Sequence, residues 1–445
     1  MSRPKVCLIG QVLVDVMFQG PGREPKLRHG GILHAARALW AIGCPYVLAY
    51  FAPEYLDNSV VKYAGEIGCA GVRKIGNVLG CPNVVTIGEP TEAGPQGYEF
   101  LLRDEQVSLL DERALDQVCQ DADLTDVLVF PGGFDFPATL KAVGKCRAAV
   151  HVDANFEPDD PTGFACLGRN FATVILSTSS RVFLERHEGQ VDRLRKTLLG
   201  DYAEALLFKE NRGGSRFFRD TTTEPIHTPA QVRRVQHSVG VGDVFDAVYI
   251  VCRHDMDDRA SLAYASAVAA EYASTTYPDD FREAARATLQ IPKEDITQLA
   301  GVSLPWEDRP SCQIYIAAPD FDYVDRKPIE EVVACLTYHN FTPRRPVLEN
   351  GQMGRDATPE RKQALCEADV KLIEECRIML AVLLFDDPGT LIEIGMAVQK
   401  GMPVIVYDPQ HRADNLMLTQ LPNLVSASLD EVIAAVFKYA GKQPV

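Results

Sequence analysis

A carboxylate in the last third of the chain has the surroundings of a nucleophile. Residues 386–390 have the sequence Asp-Asp-Pro-Gly-Thr, a pattern that predicts a helix over Thr390–Lys400. Glu393 would then lie in the first turn of that helix, where backbone N–H groups and the helix dipole favour the ionised carboxylate. An ionised carboxylate at a ligand crevice is suited to attack an electrophilic sugar carbon. For Glu393 taken alone, the alternative is a residue that only balances the helix dipole.

Asp369 is a candidate second carboxylate. It falls within the apolar stripe of a helix predicted over Pro359–Arg377, a stripe formed by Leu365, Ala368, Leu372, Ile373 and Cys376. A carboxylate in such a stripe is costly unless it is paired or used chemically. Because glycosidic cleavage typically employs two carboxylates, Asp369 is interpreted as a group that moves a proton on the leaving group or orients the nucleophile. The alternative is a capped or solvent-edge helix residue.

A glycine-rich segment in the first half could bind an anion. Residues 237–247 have the sequence His-Ser-Val-Gly-Val-Gly-Asp-Val-Phe-Asp-Ala. Gly240, Val241 and Gly242 precede a helical run, which allows the backbone to approach an anion at a helix N-terminus. Asp243 could then accept a proton from a hydroxyl that attacks a phosphoryl group. A simple tight turn is the alternative for this motif alone.

The elements that must position these residues form two α/β patterns. Over roughly the first 300 residues, short apolar runs alternate with helical stretches, which predicts a sheet with helices on both faces. The predicted strands are Lys5–Gly10, Tyr46–Phe51, Val127–Phe130, Ala149–Asp153, Thr173–Ser177 and Ala205–Lys209. The segment 291–310 contains three prolines and no sustained periodicity, which is typical of a linker. We therefore expect domains at 1–295 and 312–445, joined by a linker at 296–311.

The second pattern is smaller. Its strand candidates are Gln313–Ala318, Ile378–Phe385 and Pro403–Tyr407. Helices are predicted over Pro328–His339, Pro359–Arg377, Thr390–Lys400 and Ser428–Tyr439. In an open parallel sheet, ligands bind beyond the carboxyl ends of the strands, so the acidic segments that follow these strands are expected to line a crevice.

Composition narrows the partners and the compartment. The formal net charge of −16 argues against nucleic acid or an anionic membrane as the main partner, since both demand a basic surface. Twelve cysteines without a Cys-x-x-Cys pair, and no signal-cleavage pattern, predict reduced thiols in the cytoplasm. The histidines lack zinc-type spacing, so no structural metal is expected. No apolar run reaches the roughly 18 residues of a membrane-spanning helix.

The C-terminal elements resemble the nucleoside 2-deoxyribosyltransferase family. Four features carry the resemblance in order: an opening strand with Tyr315, the Asp369 helix, the Asp-Pro-Gly-Thr-x-x-Glu-Ile-Gly block from Asp387, and a closing strand followed by Asn415-Leu416-Met417. The resemblance implies a flavodoxin-like, doubly wound parallel sheet. It also implies that Glu393 is a nucleophile that forms a glycosyl–enzyme ester, that Asp369 assists at the base, and that Tyr315 orients Glu393.

The same resemblance implies substrate contacts and an assembly. The substrate-binding residues would be Asp387, Gly389, Thr390, Asn415 and Met417. In the family, an Asn at the position of Asn415 reaches into the site of a neighbouring subunit, so a homo-oligomer is implied. No cofactor is expected for this domain. Asp320 and Asp322 follow the first strand and would repel phosphate, which favours an unphosphorylated nucleoside, although relatives act on deoxynucleoside monophosphates.

The N-terminal half resembles the ribokinase-like sugar and nucleoside kinases of the PfkB family. The match rests on Gly10–Asp15, the Gly30-Gly31 pair with the helix from His34, Asp153-Ala154-Asn155, Gly240–Asp243 and an Ala-rich helix at 263–273. It implies a ribokinase-like α/β sandwich that uses ATP and Mg²⁺. Asp15, Gly30, Gly31 and His34 would contact the substrate. Gly240, Val241 and Gly242 would form an anion hole for the cofactor phosphates, with Asp243 as the base.

This half also departs from the PfkB pattern. His34 stands where the family has Asn, and residues 178–181 lack the Glu of the element that organises magnesium. His237 and Ser238 replace the Asp and Thr that usually precede the anion hole. Phosphoryl transfer depends on metal and positioning for nearly all its rate, so losing a magnesium-organising carboxylate should be costly. Phosphorylation and simple binding of a ligand therefore both stay open.

Together these features predict a bifunctional enzyme that acts on small molecules. The C-terminal domain would cleave or exchange the N-glycosidic bond of a nucleoside, and the N-terminal domain would bind or phosphorylate a nucleoside or sugar. The alternative is a degenerate kinase domain that senses a nucleotide and gates a nucleotide-depleting N-glycosidase. A purely structural role would require the arrangement of Tyr315, Asp369, Glu393 and Asn415 to be accidental. The acceptor, whether a second base or water, is left open.

Overall fold

The computed structural model describes residues 4–18, 24–155, 160–354 and 356–441. The chain divides into two compact units, one comprising Met1–Thr91 and Gln96–Ser303, the other Glu92–Pro95 and Leu304–Val445. The segment predicted as a linker is partly structured, because a 3₁₀ helix spans Trp306–Ser311 and Arg309 within it is fully buried. The domain bounds given above remain predictions.

The first unit is built on a sheet of thirteen strands. In chain order these are β1 (Val6–Met17), β2 (Lys26–Gly31), β3 (Tyr46–Ala52), β4 (Gly71–Leu79), β5 (Val84–Ile87), β6 (Tyr98–Phe100), β7 (Val107–Leu110), β8 (Asp126–Val129), β9 (Ala149–Asp153), β10 (Thr173–Ser177), β11 (Leu206–Lys209), β12 (Ser215–Phe218) and β13 (Ile226–Thr228). The main order is β13-β12-β11-β10-β9-β8-β1-β3-β4-β7. From β11 through β4 all neighbours are parallel, as the continuous apolar runs predict.

Strand β1 belongs to two sheet regions. Its first half, Val6–Gln11, pairs in parallel with β3 in the main sheet. Its second half, Val12–Met17, pairs antiparallel with β2, and the end of β1 also pairs with β5. In this register Asp15 lies opposite Arg28. The long strand therefore carries one candidate site residue out of the main sheet into a small side sheet.

Nine helices of the first unit cover the described part of this sheet. They are α1 (Leu33–Ile42), α2 (Asp57–Glu66), α3 (Glu112–Cys119), α4 (Phe136–Val143), α5 (Val191–Leu198), α6 (Val241–Cys252), α7 (Asp258–Ala273), α8 (Pro278–Thr288) and α9 (Lys293–Ile296). Buried alanines on α1 and α7 belong to one core cluster with the apolar face of α6. Small side chains let these helices pack closely, which positions the N-terminus of α6 over the sheet.

The second unit contains a five-stranded parallel sheet. Its strands are β14 (Gln313–Ala317), β15 (Thr342–Arg344), β16 (Ile378–Val382), β17 (Val404–Tyr407) and β18 (Leu424–Ser426), in the order β15-β14-β16-β17-β18. Its helices are α10 (Lys327–Tyr338), α11 (Pro346–Glu349), α12 (Pro359–Glu375), α13 (Pro388–Gln399), α14 (Leu416–Gln420) and α15 (Leu429–Ala440). The doubly wound, flavodoxin-like prediction is confirmed, since this strand order is the one that defines it.

The three predicted strands occupy the centre of that sheet. Its two edge strands were not predicted, because each is only three residues long and half-buried. A run that short gives no readable apolar pattern.

The structure bears on two expectations drawn from composition, which concern the cysteines and membrane-spanning helices. The twelve cysteines are described as thiols outside any disulfide bond, and seven of them are buried. Among the described residues, no helix combines the length and hydropathy needed to cross a bilayer.

Candidate active sites

Glu393 and Tyr315 meet at the carboxyl ends of the second sheet. Tyr315, on β14, is fully buried, and its Oη donates a hydrogen bond of 2.7 Å to Glu393 Oε1. Glu393, on α13, is half-buried. The two residues lie 78 positions apart in the sequence and are brought together by the parallel pairing of β14 with β16, the strand that leads into α13. The carboxylate is therefore held in a fixed orientation by a buried phenol.

The helix that carries Glu393 begins two residues earlier than the sequence predicts. Helix α13 starts at Pro388, so Glu393 is its sixth residue and lies in the second turn. The prediction that the helix dipole keeps Glu393 ionised is therefore wrong, because that effect fades beyond the first turn. Burial instead raises the pKa of Glu393 to about 7; the hydrogen bond from Tyr315 opposes this rise, while the charges of Asp369 and Asp387 add to it.

Asp369 has an amide partner that sequence reasoning missed. Asn350, which follows α11, donates from Nδ2 to Asp369 Oδ1 at 2.8 Å. Asp369 itself is half-buried on α12, beside the buried Leu372 and Ile373. Asn350 lies in a stretch of sequence without helical or strand periodicity. The sequence marked it only as a polar residue that follows Pro346. The pairing orients one oxygen of the Asp369 carboxylate.

Asp387 caps the helix that bears Glu393. Its Oδ2 accepts hydrogen bonds from Thr390 N at 2.7 Å and Thr390 Oγ1 at 2.9 Å. At Gly389, an added Cβ would lie 3.1 Å from the same carboxylate oxygen, so a small residue suits this turn. In this geometry Asp387 and Thr390 cap α13. The substrate contacts predicted for Asp387, Gly389 and Thr390 stay predictions.

Asn415 and Met417 are placed together but on an exposed helix. Asn415 caps α14 by accepting a hydrogen bond of 2.9 Å from Met417 N. Met417 is 60% exposed, and α14 has no buried residue. Among the described residues, no hydrogen bond joins Asn415 to Glu393, Asp369 or Tyr315. The structure thus gathers Tyr315, Asp369 and Glu393, while Asn415 stays outside that network.

The acidic loop after β14 carries less free charge than its sequence suggests. Asp320 is buried, and its two oxygens accept hydrogen bonds of 2.8 and 2.9 Å from Arg345. Asp322 is exposed, with Arg326 at 3.7 Å. Because Asp320 is already paired with a guanidinium, it repels a phosphate less than expected. The preference for an unphosphorylated nucleoside is correspondingly weaker.

In the first unit, the Gly240–Asp243 segment forms the N-terminus of α6. Gly240 caps the helix with φ of 77°, and an added Cβ would lie 2.2 Å from the His34 ring. Only glycine fits there, because both the backbone conformation and the space exclude a side chain. Asp243 lies in the first turn of α6. Burial and the nearby charge of Asp153 raise its pKa to about 7, against the opposing charge of Lys209.

A buried lysine joins the carboxylates around Asp243. Lys209 Nζ lies 2.9 Å from Asp153 and 2.8 Å from Asp246, and both carboxylates are buried. Burial and Asp153 raise the pKa of Asp246. At Asp153 burial acts in the same direction, but the charge of Lys209 and hydrogen bonds with Asp246, Lys209 and Asn155 together outweigh it and lower the pKa of that carboxyl. Neither Lys209 nor Asp246 was singled out from the sequence, because their pairing across 37 positions leaves no local pattern.

The carboxylates of this cluster are a candidate site for a divalent cation. Oxygens of Asp153, Asp243 and Asp246 lie within 4.8 Å of one another, a donor set of the kind that hard cations prefer. However, the Lys209 ammonium is already bonded to two of the three carboxylates. A cation and the ammonium would compete for the same oxygens, so the arrangement does not fit Mg²⁺ at this cluster.

Asp15 is engaged by neighbouring side chains. His34 Nε2 lies 2.9 Å from Asp15 Oδ2, and Arg28 Nε lies 3.5 Å from the same oxygen. An added Cβ at Gly30 would lie 1.9 Å from Asp15, which explains the glycine. Burial, with help from Arg28 and Arg37, lowers the pKa of His34 to about 4, so the imidazole is neutral at pH 7. The predicted substrate contacts Asp15, Gly30 and His34 thus adjoin one another, while Gly31 provides the turn with φ of 59°.

Comparisons with known proteins agree with this division. Residues 314–426 match the family model described as nucleoside 2-deoxyribosyltransferase. An apo ribokinase II from E. coli shares 15% identity and covers 64% of this chain and 99% of its own, with a TM-score of 0.50. A ribokinase II from E. coli in complex with ATP and Mg²⁺ shares 14% identity with the same coverages and TM-score. A comparison with curated protein sequences gave no match.

The likeness to the solved structures establishes the fold of the first unit. The chain therefore joins a ribokinase-like α/β domain to a domain of the nucleoside 2-deoxyribosyltransferase family. Both parts of the resemblance drawn from the sequence are confirmed at this level.

Proposed function

We propose that the C-terminal domain cleaves or exchanges the N-glycosidic bond of a nucleoside through Glu393. The hydrogen bond from the buried Tyr315 to Glu393, with Asp369 in electrostatic range, is the observation that carries this proposal. The Glu393 carboxylate attacks the anomeric carbon while the bond to the base breaks, which leaves a glycosyl ester on the enzyme. Asp369, oriented by Asn350, gives a proton to the departing base.

The second half of the reaction regenerates the carboxylate. A second base, or water, attacks the anomeric carbon of the ester, passes a proton to Asp369 and releases Glu393 as a carboxylate. Either acceptor attacks the same ester, so transfer and hydrolysis share one intermediate. Because the pKa of Glu393 is about 7, a large share of the residue is protonated near neutral pH in the free enzyme. The Tyr315 hydrogen bond favours the ionised form that attacks.

We propose a homo-oligomer in which a second copy covers the face near Glu393. Large apolar side chains on α13, on α14 and just before α13 are exposed: Phe385, Leu391, Ile392, Leu416 and Met417. A group of this kind is typical of an interaction surface. A second copy would also bring an Asn415 towards the site, as the family resemblance implies.

For the N-terminal domain, we propose that it binds a nucleoside or sugar together with ATP, with Asp243 as the base if phosphoryl transfer occurs. A raised pKa near 7 suits Asp243 to that role, and α6 places backbone N–H groups beside it. The solved E. coli complex shows that this fold accommodates ATP and Mg²⁺ in another protein. The twelve free thiols support a cytoplasmic setting.

A second candidate for this domain is a nucleotide sensor that gates the C-terminal enzyme. Lys209 is bonded to a carboxylate that could otherwise hold a cation, and His34 is bonded to Asp15, which is a predicted substrate contact. Both observations favour binding over phosphoryl transfer. A sensor requires that the C-terminal rate change when the N-terminal ligand binds.

One experiment separates these functions. Purified full-length protein is incubated with a panel of nucleosides and deoxynucleotides, with and without Mg-ATP and a free acceptor base, and the products are read by mass spectrometry. We expect free or exchanged base, and a sugar adduct on the intact protein that is absent in Glu393→Gln. If every substrate is returned unchanged, the glycosyl proposal fails. A phosphorylated product that disappears in Asp243→Asn would establish the kinase, whereas a rate that changes with ATP without one would favour the sensor.

A further inference from the structure

A pocket lies in the first unit, between the side sheet and helices α1, α2 and α8. Its walls come from β2, α1, α2 and the segment that leads from α7 into α8. The lining residues are Arg28, His29, Arg37, Tyr63, Tyr272, Thr275, Thr276, Tyr277, Pro278 and Phe281. None of the lining residues is acidic, although the protein as a whole carries a formal charge of −16.

The pocket concentrates positive charge. Arg28 and Arg37 line it, and Lys26 reaches its edge, where Nζ donates to Thr276 Oγ1 at 3.2 Å. Asp15 lies 3.5 Å from Arg28 on the far side, Asp243 is within electrostatic range of Arg28, and Asp279 and Asp280, which begin α8, are exposed. Within the described part of the chain, Asp15 is the one carboxylate at ion-pair distance from Arg28, and neither Arg37 nor Lys26 has a carboxylate at that distance.

Arg37 is the best-buried of these cations, and its partners are neutral. Arg37 as a whole is 6% exposed. Its guanidinium donates to Tyr63 Oη at 2.6 Å and to the His29 carbonyl, and it lies 3.1 Å from His34 Nδ1. No carboxylate among the described residues comes within ion-pair distance of it. Nearby, the buried His29 Nδ1 has no hydrogen-bond partner. A buried guanidinium whose partners are all neutral gains from a nearby anion, which would give Arg37 its first ion pair.

The remaining walls are flat rings. Tyr63 and Tyr272 already lie under guanidinium groups, with Arg37 at 5.2 Å and Arg28 at 5.7 Å from the ring centroids. Tyr277 is 68% exposed at the mouth, followed by Pro278. Exposed aromatic rings beside cations provide a stacking surface for a planar group that also carries negative charge. Thr275 and Thr276 add hydroxyl groups at the same edge.

We propose that this pocket binds a nucleoside monophosphate, with its phosphate against Arg28 and Arg37 and its base against Tyr277. The pocket is separate from the acidic cluster at Asp243, which would repel the same phosphate. The inference goes beyond the proposed chemistry at Glu393 and needs neither phosphoryl transfer nor glycosyl cleavage. The first unit would then have a ligand site lined by residues other than those of its carboxylate cluster.

Calorimetry on the full chain tests this, with Glu393→Gln protein so that no ligand is consumed. The probes are AMP, GMP, CMP and UMP, the matching nucleosides, and inorganic phosphate. We expect at least one monophosphate to bind about tenfold more tightly than both its nucleoside and inorganic phosphate. Raising the salt concentration should weaken that binding, because the contact is ionic.

Four further variants locate the ligand. In the same background, Lys26→Gln and Tyr277→Ala should each weaken binding by about five- to tenfold, through lost charge and lost stacking. The matched controls Lys196→Gln and Tyr323→Ala remove an exposed lysine and an exposed tyrosine that do not line the pocket, and should leave binding unchanged.

Three results would overturn the inference. One is the absence of monophosphate binding at millimolar concentration, and another is equal binding of inorganic phosphate. The third is binding that Asp243→Asn abolishes while Lys26→Gln and Tyr277→Ala do not alter it, which would place the ligand at the other cluster. Because all these measurements are made without turnover, failure of the glycosyl proposal would leave them interpretable.

Discussion

Both candidate sites contain carboxylates that are close together, but the charge of these groups is compensated by different means. In the second unit, Glu393 and Asp369 are held by neutral donors, the Tyr315 phenol and the Asn350 amide. In the first unit, Asp153 and Asp246 are bonded to an internal cation, Lys209. A neutral donor orients a carboxylate without cancelling its charge, whereas an ammonium cancels it.

Because of this difference, the Glu393 site is suited to nucleophilic attack, whereas the Lys209 cluster is suited to stabilising the fold of the first unit. Tyr315 favours the ionised form of Glu393, which can attack a sugar carbon. Lys209 is bonded to Asp153 and Asp246, so a new ligand on either carboxylate must displace an existing bond. The predictions below probe that contrast, beginning with the largest expected effect.

The first prediction removes the nucleophile. Glu393→Gln should lower glycosyl turnover by at least about a hundredfold, because the neutral amide cannot form the ester. Released base is measured by chromatography at saturating substrate. Glu367→Gln, which changes an exposed Glu on α12, is the control and should keep full activity. Retention of more than a few percent of turnover by Glu393→Gln would contradict the assignment.

The second prediction removes the internal cation. Lys209→Met should destabilise the first unit by about 3–5 kcal/mol, because it leaves buried carboxylates without a partner. Lys209 lowers the pKa of Asp153 and Asp243, so its loss raises both. The destabilisation should therefore shrink as the pH falls and these groups bind protons, which thermal unfolding at pH 5 and pH 8 would show.

A second substitution should restore part of the stability that Lys209→Met loses. Adding Asp246→Asn removes one of the two carboxylates bonded to Lys209, so the double variant should recover part of the lost stability. If Lys209→Met unfolds like the parent protein at both pH values, the cluster is not held by charge.

The third prediction concerns pH. Attack requires ionised Glu393, so turnover should rise as the pH increases through about 7. Tyr315 lowers the pKa of Glu393, and removing its hydroxyl raises that pKa further. Tyr315→Phe should therefore move the rising limb to higher pH and reduce turnover at pH 7 by about tenfold. An unshifted limb would mean that Tyr315 does not set the ionisation of Glu393.

The fourth and smallest effect is at Asn350. Asn350→Ala removes the hydrogen bond that orients Asp369, and we expect a loss of about threefold to tenfold in kcat with little change in KM. Asn350→Gln keeps an amide on a longer side chain and serves as the partial-rescue variant. A change confined to KM would indicate that Asn350 binds substrate and does not position Asp369.

The sequence predicted more of the second site than of the first. Asp369 and Glu393 lie on helices whose periodicity can be read from the sequence. The role of Tyr315, in the middle of β14, was implied by the family resemblance. The start of α13 was placed two residues late, because Pro388 occupies the first helical turn where proline is favoured. That small shift changed the expected ionisation of Glu393.

Asn350 and Lys209 could not be found from the sequence, for two different reasons. Asn350 lies in an irregular stretch, where side-chain direction follows from no period. Lys209 ends an ordinary buried strand, and its role depends on the approach of α6, which only tertiary packing decides. The fold class followed from strand rhythm, whereas charge pairing between distant elements did not.

The passage of β1 from the main sheet into the side sheet makes Asp15 sensitive to the spacing of residues before it. Neighbouring side chains on a strand point to opposite faces. Inserting one residue between Gln11 and Val12 would turn Asp15 away from His34 and present a valine to it. We therefore expect this join to tolerate substitutions of similar shape but not changes in length.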